Sequence, residues 1–220
     1  MNPEVAPLPQ QAFSAIILAG GHCSRLGRNK SLLQSDAQPL IARSVHSLAS
    51  LCDDLIVVTN HPDRYASLSL PVRLVPDERP GVGSLMGIYS GLRVARHPWA
   101  VTVACDMPFL NLDLLRYLLP LARGHDVVIP RVGGWLEPLH AIYGRACLPE
   151  MARLLQEGQR QIIAFFSQVR VRYVEEQEVD RFDPEHLSFI NVNTADDWEQ
   201  TLALLQKRTD AAAAVPPRKT

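Results

Sequence analysis

A short segment near the start of the chain combines flexible glycines with positive charge. Residues 15–33 read AIILAGGHCSRLGRNKSLL, in which an apolar run leads into Gly20 and Gly21 and then into Arg25 and Lys30. Glycines let the backbone approach a ligand and expose N–H groups that suit phosphate oxygens, while the two cations attract phosphate. This combination favours a loop that binds a nucleoside triphosphate. Paired glycines after a strand are also common in simple turns, and that interpretation stays open at this point.

The spacing within this loop does not match two familiar nucleotide-binding motifs. Gly20, Gly21 and Gly27 lack the separations of the dinucleotide-binding pattern GxGxxG. The segment GRNKS ends like a P-loop but lacks the GxxxxGK[ST] frame. Hydride transfer and P-loop ATP hydrolysis are therefore disfavoured.

A second reactive group is the carboxylate of Asp106, which follows the apolar run AVTVAC. The carboxyl ends of buried strands are where α/β sheets bind ligands, and Mg²⁺ typically keeps one or two protein carboxylates beside substrate phosphates. The sequence therefore predicts that Asp106 holds Mg²⁺ against a phosphate. The alternative is that Asp106 is a turn or capping residue before Pro108.

These groups need a scaffold, and the hydrophobic pattern predicts an α/β fold, a Rossmann-like doubly wound sheet that is mainly parallel. Almost continuously apolar runs such as SAIIL and AVTVAC are typical of strands buried on both faces, and they alternate with segments of helical spacing. In such a sheet the glycine loop and Asp106 fall at the ligand edge. Further strands are predicted at DLIVVTN, VRLV, DVVIP, EPLHAIY and VRVRYVEE, and the last of these is predicted to lie at an edge of the sheet. A closing helix is predicted at residues 195–206.

Length and composition indicate a single domain over residues 14–207, with disordered segments at 1–13 and 208–220. The net charge of −1 gives no reason to expect nucleic acid or an anionic membrane as a partner. No apolar run is long enough to span a bilayer. Four scattered cysteines without metal-binding spacing, and an N-terminal segment unlike a signal peptide, predict a cytoplasmic protein with reduced thiols.

From about Ala15 to Leu205 the sequence resembles a known enzyme family. The loop matches L-A-G-G-x-x-x-R-[ML]-G-x-x-K, the signature of nucleotidyltransferases with a single doubly wound domain. The similarity continues in VVTN, LVPD, PGVGSLMGI, ACDMPFL, EPLHAIY, G-Q-R at 158–160 and INVNTADDW. Together these segments are most similar to the molybdenum cofactor guanylyltransferases. Cys23, Asn29 and the turn G-S-L-M-G depart from the usual pattern, but none removes a charge expected to act in catalysis.

The resemblance implies that GMP is transferred from GTP to the terminal phosphate of molybdopterin, with Mg²⁺ as cofactor and release of pyrophosphate. Attacker and target are both anionic, so the protein's main task would be to neutralise and align them. The expected catalytic residues are Arg25, Lys30 and Asp106, the last also holding the metal. The expected nucleotide contacts are Leu18, Ala19, Gly20, Gly21, Lys30, Asn60, Asp77 and Asp106, and the expected acceptor contacts are Asn191, Asn193 and Arg160. The resemblance also implies transient contacts with apo-molybdoenzymes or their chaperones.

Two of these assignments have structural alternatives. Guanine presents adjacent N1–H and N2–H donors that one carboxylate can accept, so Asp77 is predicted to help choose guanine, but it is equally a turn residue in PDERPG. Asn191 and Asn193 alternate, so they are predicted to share one face of a strand, and the resemblance implies that this face lies near the acceptor or a second metal. The alternative is helix capping, which is favoured for Thr194.

Two other function classes remain open from the sequence. One is a different nucleotidyltransferase, which would use CTP on molybdopterin or a nucleoside triphosphate on a sugar or polyol phosphate. The other is a non-catalytic, nucleotide-binding assembly factor for molybdenum enzymes. The first would keep the predicted roles of Arg25, Lys30 and Asp106, and the second is disfavoured because those residues are intact.

Overall fold

The computed structural model describes residues 13–20, 33–35 and 38–213, and its central feature is one large sheet. The strands are β1 (Phe13–Leu18), β2 (Gln34–Ser35), β3 (Gln38–Pro39), β4 (Asp54–Val58), β5 (Arg73–Val75), β6 (Trp99–Ala104), β7 (Val127–Val132), β8 (Trp135–Leu136), β9 (His140–Gly144) and β10 (Val171–Glu175). The order across the sheet is β10-β7-β9-β6-β1-β4-β5, β8 pairs with β7, and β2 and β3 form a separate pair.

The sheet is mainly parallel, as the sequence predicts. β1 lies between β4 and β6 and is parallel to both, β5 is parallel to β4, and β10 is parallel to β7. Within the described residues, β9 runs against its neighbours β6 and β7, and β8 runs against β7. The predicted edge strand VRVRYVEE forms β10, which is an outer strand. The carboxyl ends of β1, β4, β5, β6, β7 and β10 therefore share one edge of the sheet.

Helices cover both faces of this sheet. The α-helices are α1 (Leu40–Leu48), α2 (Ser84–Val94), α3 (Leu112–Leu121), α4 (Leu148–Gln156), α5 (Glu176–Val179) and α6 (Ala195–Ala213). Short 3₁₀ helices span Pro62–Leu68, Arg145–Cys147, Ile162–Gln168 and Leu187–Phe189. None of the helices in the described ranges is long and apolar enough to cross a membrane.

The alternation of side chains along β1 divides the core into two clusters. Ile17 packs in the cluster that contains residues of α1 and α3, whereas Ile16 packs in the cluster beneath α2 and α4. Both isoleucines are fully buried, which explains why this strand is a continuous apolar run. A Cβ at Gly91 would lie 2.8 Å from Ile16 Cγ2, so glycine lets α2 approach the sheet closely.

Two boundaries and one predicted strand differ from the sequence prediction. Phe13, which the sequence assigns to the N-terminal segment, is the buried first residue of β1. The prediction of a strand at INVNT is wrong, because residues 190–193 are irregular. The closing helix α6 continues past Lys207 to Ala213. Residues 1–12 and 214–220 lie outside the described residues.

Candidate active site at the carboxyl edge of the sheet

The parallel strands bring several loops together at one edge. Hydrogen bonds between neighbouring strands continue just past the strand ends, since Cys105 N–H donates to the Leu18 carbonyl at 3.0 Å and Ala19 N–H donates to the Val58 carbonyl at 2.9 Å. These bonds fix the first residues of the loops that follow β1 and β6. The predicted residues Leu18, Ala19, Gly20, Asn60, Asp77 and Asp106 thus belong to strand ends and loops of one edge, as parallel pairing requires.

Asn60 and Asp77 hold one another in place at this edge. The Asn60 amide donates from Nδ2 to Asp77 Oδ2 at 2.8 Å, and the backbone N–H of Asp77 donates to Asn60 Oδ1 at 3.0 Å. The two bonds join the loop after β4 to the loop after β5. Each side chain therefore has a fixed orientation before any ligand arrives, which is the condition for selective recognition.

The second oxygen of the Asp77 carboxylate is left without a partner. Oδ1 is buried and accepts no hydrogen bond within the part of the chain that the structure describes. Burial raises the pKa of Asp77, and the hydrogen bond from Asn60 only partly opposes this rise. A buried acceptor without a donor costs free energy, so this oxygen is suited to a ligand that brings an N–H group.

Two glycines shape the space around Asp77. A Cβ at Gly20 would lie 3.5 Å from Asp77 Oδ2, and a Cβ at Gly87 would lie 3.5 Å from Asp77 Oδ1 and 3.0 Å from Leu18 Cδ2. Sequence reasoning did not single out Gly87. Its signal is the spacing of Gly87 and Gly91 by four residues, which places both on the face of α2 that packs on the sheet.

Asp106 lies in the turn directly after β6. Its side chain is half-buried, and its backbone carbonyl accepts a hydrogen bond from the Val192 N–H at 3.0 Å. This bond ties the segment that contains Asn191 and Asn193 to Asp106. The structure therefore brings together the carboxylate predicted to hold a metal and two of the residues predicted to contact the acceptor.

The segment around Asn191 and Asn193 is positioned by packing and capping instead of strand pairing. Asn191 Nδ2 donates to the Phe189 carbonyl at 3.1 Å. Thr194 Oγ1 accepts from the Asp197 N–H at 3.1 Å, and Asp197 Oδ2 accepts from the backbone N–H groups of Asn193 and Thr194, each at 2.8 Å. The capping role favoured for Thr194 is confirmed, and the reciprocal bonds form a capping box at the start of α6.

Phe189 anchors this segment to the sheet through His140. The two rings meet edge to face with centroids 5.1 Å apart, and His140 is fully buried. Burial lowers the pKa of His140 to about 4, with the Asp183 carboxylate opposing the shift. His140 is therefore a neutral core residue beneath the site.

Arg160 lies on the other face of the sheet, in the loop after α4. It is exposed and makes no hydrogen bond or ion pair with any described residue. Arg79, in the loop after β5, donates from Nη2 to the Leu155 carbonyl of α4 at 2.9 Å. This contact ties the end of α4 to the carboxyl edge, but the described residues show no contact between Arg160 and Asp106, Asn191 or Asn193. The remaining predicted residues, Gly21, Arg25 and Lys30, lie outside the described residues.

The described part of the edge offers fixed oxygen acceptors and half-buried carboxylates rather than a nucleophile. Asp77 presents an unpaired oxygen for an N–H donor, and Asp106 presents a carboxylate beside a chain segment with amide side chains. Carboxylate and amide oxygens are the ligands that hard divalent cations prefer. The arrangement suits binding of a polar, anionic substrate together with such a cation.

Comparison with known proteins gives the same picture. Residues 15–173 match the model of the MobA-like NTP transferase domain. A molybdenum cofactor guanylyltransferase from Desulfosudis oleivorans is 36% identical over 197 residues, which cover 89% of this chain and 96% of that protein. Another molybdenum cofactor guanylyltransferase, from Syntrophotalea carbinolica, is 36% identical over a region that covers 85% of this chain and 89% of that protein.

A solved structure agrees with these sequence matches. The crystal structure of molybdopterin-guanine dinucleotide biosynthesis protein A from Archaeoglobus fulgidus superposes with a TM-score of 0.77 at 28% identity, covering 89% of this chain and all of that one. The shared architecture is the flanked, mainly parallel sheet whose carboxyl edge is described above. The chain therefore belongs to the MobA-like NTP transferase family, and it is a nucleotidyltransferase.

Proposed function

We propose that the protein transfers GMP from GTP to the terminal phosphate of molybdopterin, releasing pyrophosphate and forming the guanine dinucleotide form of the cofactor. The observation that carries the proposal is the similarity of nearly the whole chain to molybdenum cofactor guanylyltransferases. In this reaction a phosphate oxygen of the acceptor forms a bond to the α-phosphorus of GTP, and the bond from that phosphorus to the departing pyrophosphate breaks.

The Asn60–Asp77 pair supports guanine as the base. Guanine carries N1–H and N2–H side by side, and a carboxylate with one unused oxygen can accept from both while Asn60 keeps the carboxylate oriented. Adenine has no such pair of donors on that edge. Leu18, Ala19 and Gly20 would line the nucleotide beside this pair, with Gly20 allowing a close approach.

Asp106 is proposed to hold Mg²⁺ at the α-phosphate. Its carboxylate is an oxygen ligand at the ligand edge, and the bond from Val192 N–H to its carbonyl holds the segment of Asn191 and Asn193 beside it. When bound, the ion would draw charge from the phosphate oxygens and favour attack at phosphorus. Gly21, Arg25 and Lys30 are proposed to bind the triphosphate, with the two cations neutralising the departing pyrophosphate.

The acceptor is proposed to lie on the other side of Asp106 from the base. Asn191 and Asn193 would contact it from the segment tied to Asp106, and Arg160 would approach from the loop after α4. We further propose that the reaction takes place in the cytoplasm and that the product passes to apo-molybdoenzymes or their chaperones through transient contacts. The expectation that neither nucleic acid nor a membrane is a partner rests on the net charge of −1.

Thermal unfolding with a panel of nucleotides tests the base assignment. GTP, CTP, UTP, ATP and TTP would each be added with and without Mg²⁺. A ligand at 100 times its Kd stabilises the folded state by about 2.7 kcal/mol, which raises the Tm by several degrees for a domain of this size. We expect the largest rise with GTP and Mg²⁺, followed by pyrophosphate release when molybdopterin is added.

The same panel separates the competing functions. A larger rise with CTP would indicate a cytidylyltransferase of the same mechanism. GTP binding without pyrophosphate release in the presence of molybdopterin would point to a non-catalytic assembly factor. If GTP raised the Tm but pyrophosphate were released only with a sugar phosphate, the fold and the mechanism would stand and the acceptor would be a sugar phosphate instead of molybdopterin.

A further inference from the structure

A tight hairpin at the carboxyl edge presents an exposed tryptophan. β7 and β8 are joined by Gly133 and Gly134, whose φ values of 56° and 80° suit a two-residue hairpin turn. Trp135, opposite Val132, is 79% exposed, the highest exposure among the large apolar side chains of the described residues. Leaving so much aromatic surface in water is unfavourable, so this side chain is suited to a ligand that covers it.

Contacts on both faces of the hairpin hold it in place. The Gly133 N–H donates to Glu176 Oε2 at 2.9 Å, which fixes the turn to α5. Arg131 donates to Glu175 Oε1 at 3.1 Å, and its guanidinium lies 4.5 Å from the centre of the Tyr173 ring. The hairpin is thus a pre-formed platform that does not use the Trp135 ring for its own folding.

The chain continues from this platform directly to the candidate active site. Glu137 N–H donates to the Pro130 carbonyl and His140 N–H donates to the Glu137 carbonyl, each at 3.0 Å, so Glu137 follows the hairpin register and precedes β9. His140 pairs with Val103, near the end of β6. Since neighbouring strands are about 4.8 Å apart, the hairpin lies roughly 10 Å from the strand that leads to Asp106.

Glu137 shares a face with Trp135, and its carboxylate has no partner among the described residues. Residues two apart along an extended chain point to the same side, so Glu137 and Trp135 face one region. Val132, opposite Trp135, packs on the cluster of α1 and α3, the side of the sheet on which Phe189 precedes Asn191 and Asn193. Glu137 is half-buried, its carboxylate makes no hydrogen bond or ion pair with any described residue, and burial raises its pKa.

We propose that Trp135 and Glu137 form the subsite for the pterin ring of the acceptor, with the ring stacked on Trp135 and its amino-pyrimidine edge hydrogen-bonded to Glu137. This inference rests on the proposed function. The pterin of the acceptor has the same adjacent amino and ring N–H donors as guanine, on a flat pyrimidinone ring. One carboxylate, Asp77, would then read guanine, and a second, Glu137, would read pterin, with Asp106 between them.

The spacing between the hairpin and β6 fits this placement. The acceptor must present its terminal phosphate near Asp106 and its ring at the far end of the molecule. A separation of roughly two strand spacings leaves room for the short arm between ring and phosphate. The planar ring and the carboxylate together would set which end of the acceptor faces GTP.

Two variants and two matched controls test the subsite. Trp135→Ala and Glu137→Gln should each raise the KM for molybdopterin about tenfold or more while leaving the KM for GTP near the wild-type value, since stacking on one aromatic ring is worth about 1–3 kcal/mol. The controls are Val94→Ala, another exposed apolar residue, and Glu150→Gln, both at the opposite edge of the sheet. These should match wild type in both KM values.

A binding measurement without turnover separates this inference from the proposed function. Free pterin, added to the full chain, should quench tryptophan fluorescence in a saturable way, and the quenching should be lost in Trp135→Ala and need about tenfold more pterin in Glu137→Gln. Such binding with no GMP transfer by the wild type would remove the proposed function and keep the subsite. Transfer by the wild type with unchanged acceptor KM in both variants would remove the subsite and keep the function.

Other outcomes also decide the matter. Absence of pterin binding to the wild type, or quenching that persists in Trp135→Ala, would overturn the inference. The Trp135→Ala variant could also keep a normal KM for the acceptor and normal pterin binding but deliver its product poorly to an apo-molybdoenzyme. That result would make Trp135 a protein-docking residue and would overturn the proposed pterin subsite.

Discussion

The two edges of the sheet treat their aspartates differently. At the amino edge, Asp54 opens β4 with a side chain only 1% exposed. Its carboxylate accepts from Ser14 Oγ at 2.6 Å, from Arg73 Nη2 at 2.6 Å and from the Arg96 backbone N–H at 2.9 Å. Both oxygens of this buried carboxylate have donors, and one donor carries a full positive charge. The network joins β1, β4, β5 and the end of α2.

At the carboxyl edge, Asp77 has one side-chain donor, Asn60, and an oxygen with no donor among the described residues. The pKa values reflect the contrast. Burial raises the pKa of Asp54, but hydrogen bonds from Arg96, Ser14 and Arg73 outweigh it, and the pKa lies below its usual value. For Asp77 burial prevails and the pKa is raised. Both oxygens of the Asp54 carboxylate are hydrogen-bonded within the protein, whereas Oδ1 of Asp77 has no donor among the described residues, as is typical of carboxylates at functional sites.

Asp54 and Asp77 thus differ in what they do for stability: the first is fully hydrogen-bonded, and the second is buried at a cost in free energy. Asp54 should matter for stability and hardly for chemistry, because it lies at the edge away from the candidate site. Asp77 and Asp106 should matter for substrate and little for stability. Substitutions at the two edges can therefore distinguish this interpretation from one in which all three are ordinary structural aspartates.

The largest effect is expected from Asp106→Asn. Removing the charge would weaken the hold on Mg²⁺ at the reacting phosphate, and kcat should fall on the order of 10²-fold or more. The carbonyl bond to Val192 N–H uses the backbone, so it remains, and the Tm should stay near wild type. Steady-state pyrophosphate release and a thermal melt measure both. Asp113→Asn, at an exposed position in the first turn of α3, is the matched control and should be active; normal kcat in Asp106→Asn would exclude the metal role.

The next effect concerns stability at the amino edge. Asp54→Ala leaves Arg73 and the donors of Ser14 and Arg96 without their acceptor, and should lower the free energy of unfolding by about 3 kcal/mol. Asp53→Ala, the neighbouring and exposed partner of His97, should cost about 1 kcal/mol or less. Urea unfolding of both variants measures the difference.

The pH dependence of that difference has a definite sign. Because the folded-state pKa of Asp54 is lowered, its contribution is present above the unfolded pKa of about 3.9 and is lost as the pH falls through the folded pKa. Asp54→Ala and wild type should therefore converge in stability under acidic conditions. If the difference in unfolding free energy between wild type and Asp54→Ala stayed constant down to pH 2, the effect would come from packing and not from the charge of Asp54.

Sequence reasoning located the parts of the site that depend on local pattern. Asn60 and Asp106 follow apolar runs, so their place at the carboxyl edge follows from parallel pairing alone. The direction of β9 was not predictable, because EPLHAIY is as apolar as a parallel strand and its antiparallel course is set by pairing with β6 and β7. The prediction of a strand at INVNT was wrong because contacts outside the local pattern determine that segment too. The packing of Phe189 on His140 and the cap at Thr194, rather than alternation, determine that segment.

The smallest change in stability, and the sharpest contrast with Asp54, is expected from Asp77→Asn. The new amide oxygen can still accept from Asn60, while the desolvated charge is removed, so the free energy of unfolding at neutral pH should stay the same or rise by about 1 kcal/mol at most. A raised folded-state pKa means that ionised Asp77 costs stability above about pH 4, and wild type and variant should converge below that value.

The same variant should lose selectivity for GTP. The amide of the variant would place an N–H donor against the donors of guanine, and discrimination between GTP and ATP should fall roughly tenfold or more, because a good bidentate contact is worth about 1–3 kcal/mol. Competition between the two nucleotides in the transfer assay measures this ratio. If Asp77→Asn were instead destabilised by several kcal/mol with unchanged nucleotide preference, Asp77 would be a structural carboxylate like Asp54. The aspartates at the two edges of the sheet would then have the same role.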